Sequence, residues 1–184
     1  KGPSNATQKG IIESTGDFIK LVGGDDIMSP ECTNLLLKLI NKSKSVAIFS
    51  RYELVDNFKK IKFDKQSPKN LRTISNPLYQ TIKSSFSGTT PTLYCKKAIN
   101  KSGGCNINLF VEDFSLVLGI SRFGSFSFID NTTSYGPKND ENRIMIGKKT
   151  QLIHDYNPIP QKEFMISIVS YWSRMSILNS MLND

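Results

Sequence analysis

The pattern of apolar residues changes near residue 45, and this change constrains the fold more than any other feature of the chain. Before it, apolar residues recur at helical spacing over Ile11–Val22 and from Ser29-Pro30 to about Lys42. After it, short β-rich segments follow one another, beginning with Ser45–Tyr52. Helices followed by strands, without β-α-β alternation, are typical of an α+β protein rather than of a parallel α/β sheet.

The second part of the chain consists mainly of predicted strands separated by turns. These strands are Thr92–Lys97, Ile107–Glu112, Ser115–Ser121, Ser125–Asp130, Arg143–Ile146 and Thr150–His154. They predict a mostly antiparallel β-rich half, in one sheet or in two packed sheets. A basic loop is predicted over Lys59–Pro77, with a short helix near Tyr79–Ser84. Helical spacing returns over Glu163–Leu182, so we expect the chain to close on a helix.

Length and composition predict a single domain. The chain has 184 residues, of which 38% are apolar and 22% charged, and this is enough to bury a core without disulfides or metal. We expect a helical part over residues 1–44, a β-rich core over 45–156 and a C-terminal helix over 157–184. No apolar run reaches the roughly 18 residues that would indicate a membrane span. The three cysteines are expected to be reduced, and they lack the spacing of a zinc site.

Positive charge is concentrated in one part of the chain. Residues 38–101 hold fourteen Lys and Arg against three acids, a net +11 within a total of +8. This asymmetry indicates either a polyanionic partner, such as nucleic acid, an acidic membrane surface or a phosphate-bearing ligand, or a solvated face that keeps the domain soluble. The sequence leaves both interpretations open.

Two short groups of residues have the types found in metal or catalytic sites, but each is more simply explained by a structural role. The run Gly23-Gly24-Asp25-Asp26 contains the residue types of an acidic metal turn, but adjacent carboxylates point to opposite sides of an extended chain and no third ligand follows. A helix C-cap explains the glycines better, so no metal site is predicted. Cys105 and the single histidine, His154, could act as nucleophile and base, although a structural thiol and a surface imidazole are the commoner case.

A third constellation combines a cation, a hydroxyl-rich turn and a carboxylate. Its members are Arg51 at the end of the first predicted strand, Ser87, Thr89 and Thr90 in a turn, and Glu141 at the start of a later strand. Arginine matches a pyrophosphate bidentately, and a carboxylate stabilises the oxocarbenium-like centre formed when a glycosidic bond breaks. These are the requirements for transfer from NAD.

The order and spacing of these residues resemble the arginine, Ser-Thr-Ser, Glu-X-Glu class of bacterial ADP-ribosyltransferase toxins. The match is best after Glu141, where the apolar triplet Ile144-Met145-Ile146, the basic turn Gly147–Thr150 and the pair Leu152-Ile153 follow one another. The resemblance implies a toxin or effector domain that binds NAD as a substrate through the arginine and the hydroxyl-rich turn. It would transfer ADP-ribose to a target-cell protein, with Glu141 as the catalytic residue.

Two features depart from the pattern of the toxin family: the turn Ser87-Gly88-Thr89-Thr90 is not a clean Ser-Thr-Ser, and the second glutamate is replaced. Arg143 stands at the position of the second glutamate, which predicts altered catalysis unless a one-residue bulge brings Glu141 into the catalytic position. The resemblance also implies secretion, or delivery into a target cell, and action in its cytosol. Two alternatives stay open: a basic nucleic-acid-binding or nuclease toxin domain, and a non-catalytic protein-binding module.

Overall fold

The computed structural model describes residues 2–63, 67–83, 86, 91–108 and 112–138. The helices in these ranges are α1 (Pro3–Glu13), α2 (Cys32–Ser43), α3 (Pro77–Lys83), α4 (Lys96–Ser102) and α5 (Glu112–Ile120). The strands are β1 (Phe18–Ile19), β2 (Ile27–Met28), β3 (Ala47–Val55), β4 (Arg72–Ile74), β5 (Thr92–Cys95) and β6 (Phe126–Pro137), and a 3-10 turn covers Phe58–Lys60. None of the described helices is long and apolar enough to cross a membrane.

The described strands pair into one mixed sheet in the order β1-β5-β3-β6-β2, with β4 beside β6. Strand β3 is central, because it runs antiparallel to β5 on one side and parallel to β6 on the other. Strand β6 pairs with β4 near its start, where Arg72 opposes Phe128, and with β2 near its end, where Ile27 opposes Tyr135. The β3–β6 register shifts on both sides of Arg51, and such irregularities bend a sheet locally.

Helices cover both faces of the sheet. Ala47, Ile48 and Phe49 in β3 are each at most 5% exposed, as expected for a strand that is buried on both sides. On one face, Ile48 packs against the apolar stripe of α2. On the other face, Ala47 and Phe49 belong to a cluster that also contains Ile11, Ile99, Leu116, Val117, Ile120 and Phe126. The sheet is therefore held between α2 and the group formed by α1, α4 and α5.

The α+β class predicted from the sequence is confirmed, and so are several of its elements. The predicted stripe of α2 is buried: Leu35, Leu36, Leu39 and Ile40 are at most 7% exposed. The first predicted strand corresponds to β3, and the short helix predicted near Tyr79 corresponds to α3. The described residues fall in a compact unit, residues 1–140. The single-domain organisation of the whole chain stays a prediction.

Other elements differ from the prediction. The predicted helix Ile11–Val22 is instead the end of α1 followed by β1, with Gly16 between them. The predicted strand Ser115–Ser121 is replaced by α5, whose buried residues Leu116, Val117 and Ile120 fall on one helical face. A continuous apolar run fits a buried helix as well as a strand, which explains this error. Of the strand predicted over Ile107–Glu112, residues 107–108 form a turn, residues 109–111 lie outside the described residues, and Glu112 begins α5. The strands predicted after residue 139 and the closing helix lie outside the described residues.

Candidate active site

An acidic turn joins β1 to β2 and contains Asp25 and Asp26. The Asp26 amide donates to the Gly23 carbonyl at 3.3 Å, so the chain reverses here instead of running extended. A methyl group on Gly23 would lie 2.8 Å from Asp26 Oδ2 and 3.0 Å from Asp25 Oδ1. Both carboxylates therefore lie over the Gly23 α-carbon. The prediction that they point to opposite sides was wrong, and so was the helix C-cap, because the preceding helix ends at Glu13.

Two residues of neighbouring strands hold Asp26 in place. The Tyr52 hydroxyl on β3 donates to Asp26 Oδ1 at 2.8 Å. Gly136 on β6 lies beneath this pair, and a side chain there would overlap the Tyr52 hydroxyl and come within 2.9 Å of Asp26 Oδ1. The absence of a side chain at Gly136 thus allows the tyrosine and the carboxylate to meet against β6. The orientation of Asp26 is set by the sheet and not only by the turn.

A network of polar side chains anchors both ends of the acidic turn to β6. Before the turn, Lys20 Nζ donates to Cys32 Sγ at 2.9 Å, and the thiol in turn lies 3.2 Å from Thr133 Oγ1. The Thr133 hydroxyl also lies 2.6 Å from the Ser50 hydroxyl. After the turn, the Ser29 amide donates to the Thr133 carbonyl at 2.9 Å. Because buried polar groups that are satisfied in this way resist rearrangement, the network should hold the turn in one conformation.

The donor set of the acidic turn fits a hard divalent cation only if another molecule supplies further oxygens. Carboxylates are preferred ligands of Mg²⁺, which is usually bound by one or two of them together with substrate phosphates. Within the described ranges, no group of three or more His, Cys, Asp or Glu is placed to hold a metal ion. Asp25 and Asp26 can thus hold a cation that arrives with a phosphate-bearing ligand, whereas a closed structural metal site does not fit.

A second pair of carboxylates, Glu112 and Asp113, begins α5. Glu112 is partly buried, and burial is the main reason why the pKa of its carboxyl is raised, with a smaller contribution from the charge of Asp113. Asp113 Oδ1 accepts a hydrogen bond from the Phe114 amide at 2.7 Å. A carboxylate with a raised pKa is a better proton acceptor than an ordinary one, so Glu112 is a candidate general base. The sequence analysis placed this segment in a strand and did not select it.

The structure argues against Cys105 as a nucleophile. Its side chain is buried, and burial together with the charges of Glu112 and Asp113 raises the pKa of the thiol to about 12. A thiol with this pKa is protonated near neutral pH, and reactive cysteines need the thiolate. Its proposed partner, His154, lies outside the described residues.

Arg51, which was predicted to hold the pyrophosphate of NAD, takes part in a surface ion cluster. Its guanidinium Nη2 lies 2.9 Å from Asp130 Oδ1, and that of Arg72 lies 3.1 Å from the same oxygen. Asn70 donates to the other carboxylate oxygen at 2.9 Å. The hydrogen bond from Asn70, followed by the hydrogen bond and charge of Arg51, lowers the pKa of Asp130. Arg51 is thus paired with a carboxylate on β6.

The other residues predicted for this site cannot be placed. Ser87, Thr89 and Thr90, predicted to bind NAD, and Glu141, predicted to be catalytic, lie outside the described residues, as does Arg143. Their roles as site residues are therefore neither supported nor contradicted by the geometry.

Comparison with known protein families assigns the chain to one of them. The family described as Glycosyl transferase family 2 matches residues 1–103, which is more than half of the chain. The chain belongs to glycosyltransferase family 2. The matched range of this family-2 domain includes the acidic turn, Tyr52 and Arg51, and it ends before Glu112. No curated protein matches the chain in a sequence search.

Solved structures support the same fold for the family-2 domain. The crystal structure of S. aureus TarS 1-349 superposes with a TM-score of 0.53 at 15% identity, over 74% of this chain and 40% of that one. The crystal structure of TarS 1-349 in complex with UDP-GlcNAc superposes with a TM-score of 0.54 at 17% identity, over 76% and 40%. The chain thus spans about two fifths of the length of TarS 1-349. At these identities the likeness concerns the fold alone.

The family assignment corrects the functional predictions made from the sequence. The ADP-ribosyltransferase toxin interpretation and NAD as the substrate are wrong, and the nuclease and non-catalytic alternatives are not supported. The motifs behind that interpretation were short, and Arg51, the only one of its site residues that is described, pairs with Asp130. Secretion or delivery into a target cell stays a prediction. The sequence signal that could have found the acidic turn was the Gly23-Gly24-Asp25-Asp26 run, interpreted as a turn between two strands.

Proposed function

We propose that the chain contributes the donor-binding part of a glycosyltransferase that transfers a sugar from a nucleoside-diphosphate sugar to an acceptor hydroxyl. The observation that carries the proposal is the convergence of the Asp25 and Asp26 carboxylates over Gly23, inside the range matched by the family. The complex of TarS 1-349 with UDP-GlcNAc supports this class of donor, because that protein shares the fold.

The acidic turn would hold the diphosphate of the donor. Asp25 and Asp26 would bind a divalent cation, which neutralises the charge that develops on a diphosphate leaving group. The sheet contributes orientation: Tyr52 fixes one oxygen of Asp26, and Gly136 leaves the space in which the two side chains meet. Gly23 leaves open the space between the two carboxylates.

Glu112 is proposed, on its raised pKa, as the acceptor of the proton that leaves the attacking hydroxyl. Burial raises its pKa, so it holds a proton more strongly than an exposed glutamate does. A general base of this kind typically contributes about 10² to 10⁴ in rate. The role of Glu112 is separable from that of the acidic turn, because a proton acceptor affects the rate of transfer more than the binding of the donor.

Release of UDP from UDP-GlcNAc in the presence of Mn²⁺ tests the donor site. We expect the chain to release UDP, slowly when water is the acceptor, and the double variant Asp25→Asn with Asp26→Asn to lose this activity. Asp56→Asn is the matched control, since it removes an exposed carboxylate that is paired with Lys138 at 3.6 Å. The proposal fails if the unaltered chain neither binds UDP-GlcNAc nor releases UDP, or if the double variant behaves like the control.

The pH dependence of the rate tests Glu112. A base must be deprotonated to act, so the rate should rise with pH through the raised pKa of Glu112. Glu112→Gln should lower the rate by about a hundredfold or more and remove this rise, while donor affinity stays unchanged. Glu13→Gln, at an exposed glutamate at the end of α1, is the control. An unchanged pH profile in Glu112→Gln would assign the proton transfer to another group.

A further inference from the structure

Helix α1 is joined to the loop that follows α4 by the side chain of Gln8. Gln8 Oε1 accepts a hydrogen bond from the Cys105 amide at 2.8 Å, across 97 positions of sequence. The Cys105 side chain is buried in the cluster that covers one face of the sheet. Residues 103–108, which we call the glycine loop, are therefore tied to α1 on one side and to the core on the other.

The backbone of the glycine loop passes directly against the Gln8 side chain. Gly103 and Gly104 both have positive φ angles, 87° and 79°, a conformation that glycine adopts without strain. A methyl group on Gly104 would overlap the side-chain amide of Gln8, whereas a methyl group on Gly103 would meet nothing within 4 Å. The contact with Gln8 therefore requires glycine at position 104 for space as well as for conformation.

Hydrogen bonds continue from the glycine loop to the candidate base, Glu112. The Asn106 amide donates to Ser115 Oγ at 3.1 Å, and the same hydroxyl donates to the Glu112 carbonyl at 2.8 Å. Ser115 thus serves as acceptor and donor at once. Because Asn106 follows Cys105 directly, three hydrogen bonds form a path from α1 through the loop to the backbone of Glu112.

The path ends at a group of ionisable side chains around the start of α5. Burial, and then the charges of Glu112 and Asp113, raise the pKa of the Cys105 thiol. Burial is also the main cause of the raised pKa of Tyr94 on β5, to which Asp113 and Cys105 contribute. Since burial likewise raises the pKa of Glu112, a small rearrangement at the start of α5 would change the hydration of its carboxyl.

We propose that Gln8 is a positioning residue for Glu112 and acts through the glycine loop and the Ser115 hydroxyl. The consequence for catalysis rests on the proposed function, in which Glu112 accepts a proton, whereas the positioning itself does not. Gln8 lines an open cavity of about 400 Å³ and is only partly buried, so its side chain can be changed without emptying the core.

Kinetics of UDP release from UDP-GlcNAc test the two ends of the path. Gln8→Met keeps the length of the side chain but removes the acceptor, and Ser115→Ala removes the hydroxyl. We expect each to lower kcat about tenfold and to leave KM for the donor within about twofold. The acidic turn is untouched, whereas a displacement of about 1 Å near reacting groups can cost about a hundredfold in rate. Gln8→Glu retains an oxygen acceptor and should recover most of the lost rate.

Two matched controls make the same chemical changes outside the path. Gln80→Met replaces an exposed glutamine of α3. Ser102→Ala removes a hydroxyl that donates to the Ile99 carbonyl at 2.8 Å, three residues earlier in its own helix. Neither should change kcat by more than about twofold. Equal losses of kcat in the controls, or a rise in KM without a fall in kcat in Gln8→Met, would overturn the proposal.

The double variant Gln8→Met with Ser115→Ala tests whether both residues act along one path. Side chains in one hydrogen-bond network have non-additive effects, so the double variant should be about as slow as either single variant. Independent effects would instead multiply to about a hundredfold, and that result would overturn the proposal.

The pair of glycines separates backbone strain from the contact with Gln8. Gly103→Ala and Gly104→Ala both place a side chain at positive φ, so both should lower the melting temperature. A side chain at position 104 also displaces Gln8, so only Gly104→Ala should lower kcat as Gln8→Met does. Equal values of kcat in the two alanine variants would contradict the role of Gln8.

The pKa of the Glu112 carboxyl, followed by NMR titration without substrate, separates this test from that of the proposed function. Breaking the path should admit water to the carboxyl, so its raised pKa should fall towards the ordinary value in Gln8→Met and in Ser115→Ala. The neighbours Asp113, Cys105 and Tyr94 are present in every variant.

An unchanged pKa of Glu112 in Gln8→Met, or an equal fall in the controls, would overturn the positioning whatever the activity. Absence of UDP release by the unaltered chain, together with a pKa of Glu112 that depends on Gln8, would reject the proposed function and leave the positioning standing.

Discussion

The acidic turn and the Arg51–Arg72–Asp130 cluster both orient a carboxylate against the sheet, but they do so with partners of different charge. Asp26 accepts a hydrogen bond from a neutral phenol, and Asp25 lies beside it over the same glycine. Asp130 accepts from two guanidiniums and one amide. The first arrangement concentrates negative charge, while the second neutralises it.

This difference explains which of the two sites suits a cation. Two carboxylates held close together repel each other, and a divalent cation relieves that repulsion. A carboxylate that is already paired with two arginines gains little free energy from binding a metal ion. The arginines keep surplus positive charge, so their cluster is better suited to an anion. Charge and geometry together therefore favour the acidic turn, and not the arginine cluster, as the place for the cation of a nucleoside-diphosphate donor.

The largest loss of donor affinity should come from filling the space over Gly23. Gly23→Ala places a methyl group against both carboxylates and must displace at least one of them, without any change in charge. We expect a loss of donor affinity of about a hundredfold, because small displacements of positioning groups have effects of that size. Gly24→Ala is the control, since a methyl group there meets nothing within 4 Å. Calorimetry with UDP-GlcNAc and Mn²⁺ measures both, and equal affinities would mean that the carboxylates do not bind the donor.

A smaller loss of donor affinity is expected from removing the Tyr52 hydroxyl, which orients Asp26. Tyr52→Phe removes one hydrogen bond to a charged group and keeps the ring. Such bonds contribute about 1.5 to 3 kcal/mol. Only the part that orients Asp26 affects the donor, so we expect donor affinity to fall by about tenfold, which corresponds to about 1.4 kcal/mol. The same calorimetric titration checks this value. If Tyr52→Phe bound the donor as well as the unaltered chain, the turn alone would position Asp26.

The smallest effect on donor affinity is expected from replacing Asp130, the carboxylate that the two arginines neutralise. Asp130→Asn should leave donor affinity within about threefold, because surface ion pairs contribute little. It should lower the melting temperature slightly at neutral pH. The pKa of Asp130 is lowered in the folded chain, so its contribution is present above the ordinary pKa of aspartate and is lost as the pH falls through the lowered value. The difference in melting temperature should therefore disappear in acid, and a difference that persists there would have another cause.

The fold could be predicted from the sequence where an element is long and its pattern is regular. Helix α2 has apolar residues at helical spacing, and β3 begins with a compact β-branched and aromatic run, so both were found. Strands β1 and β2 have two residues each, and a pattern of that length has no period to detect. These strands form only because Ile19 and Ile27 find partners, Tyr94 and Tyr135, far away in the sequence.

The candidate site was missed for the same reason. Without β1 and β2, the run Gly23-Gly24-Asp25-Asp26 looks like the end of a helix, and its carboxylates look divergent. Their convergence depends on a turn hydrogen bond and on Tyr52, which lies 26 residues beyond Asp26 in the sequence. Glu112 is a similar case, because the burial that raises its pKa comes from tertiary packing that no local pattern reports.

The most direct test of the central claim is the dependence of donor binding on a divalent cation at the acidic turn. UDP-GlcNAc should be titrated into the unaltered chain, into the Asp25→Asn, Asp26→Asn double variant and into Asp130→Asn, each with Mn²⁺ and with EDTA. We expect binding with Mn²⁺ and none with EDTA for the unaltered chain and for Asp130→Asn, and no binding in either condition for the double variant. Binding that survives EDTA or the loss of both carboxylates would contradict the account.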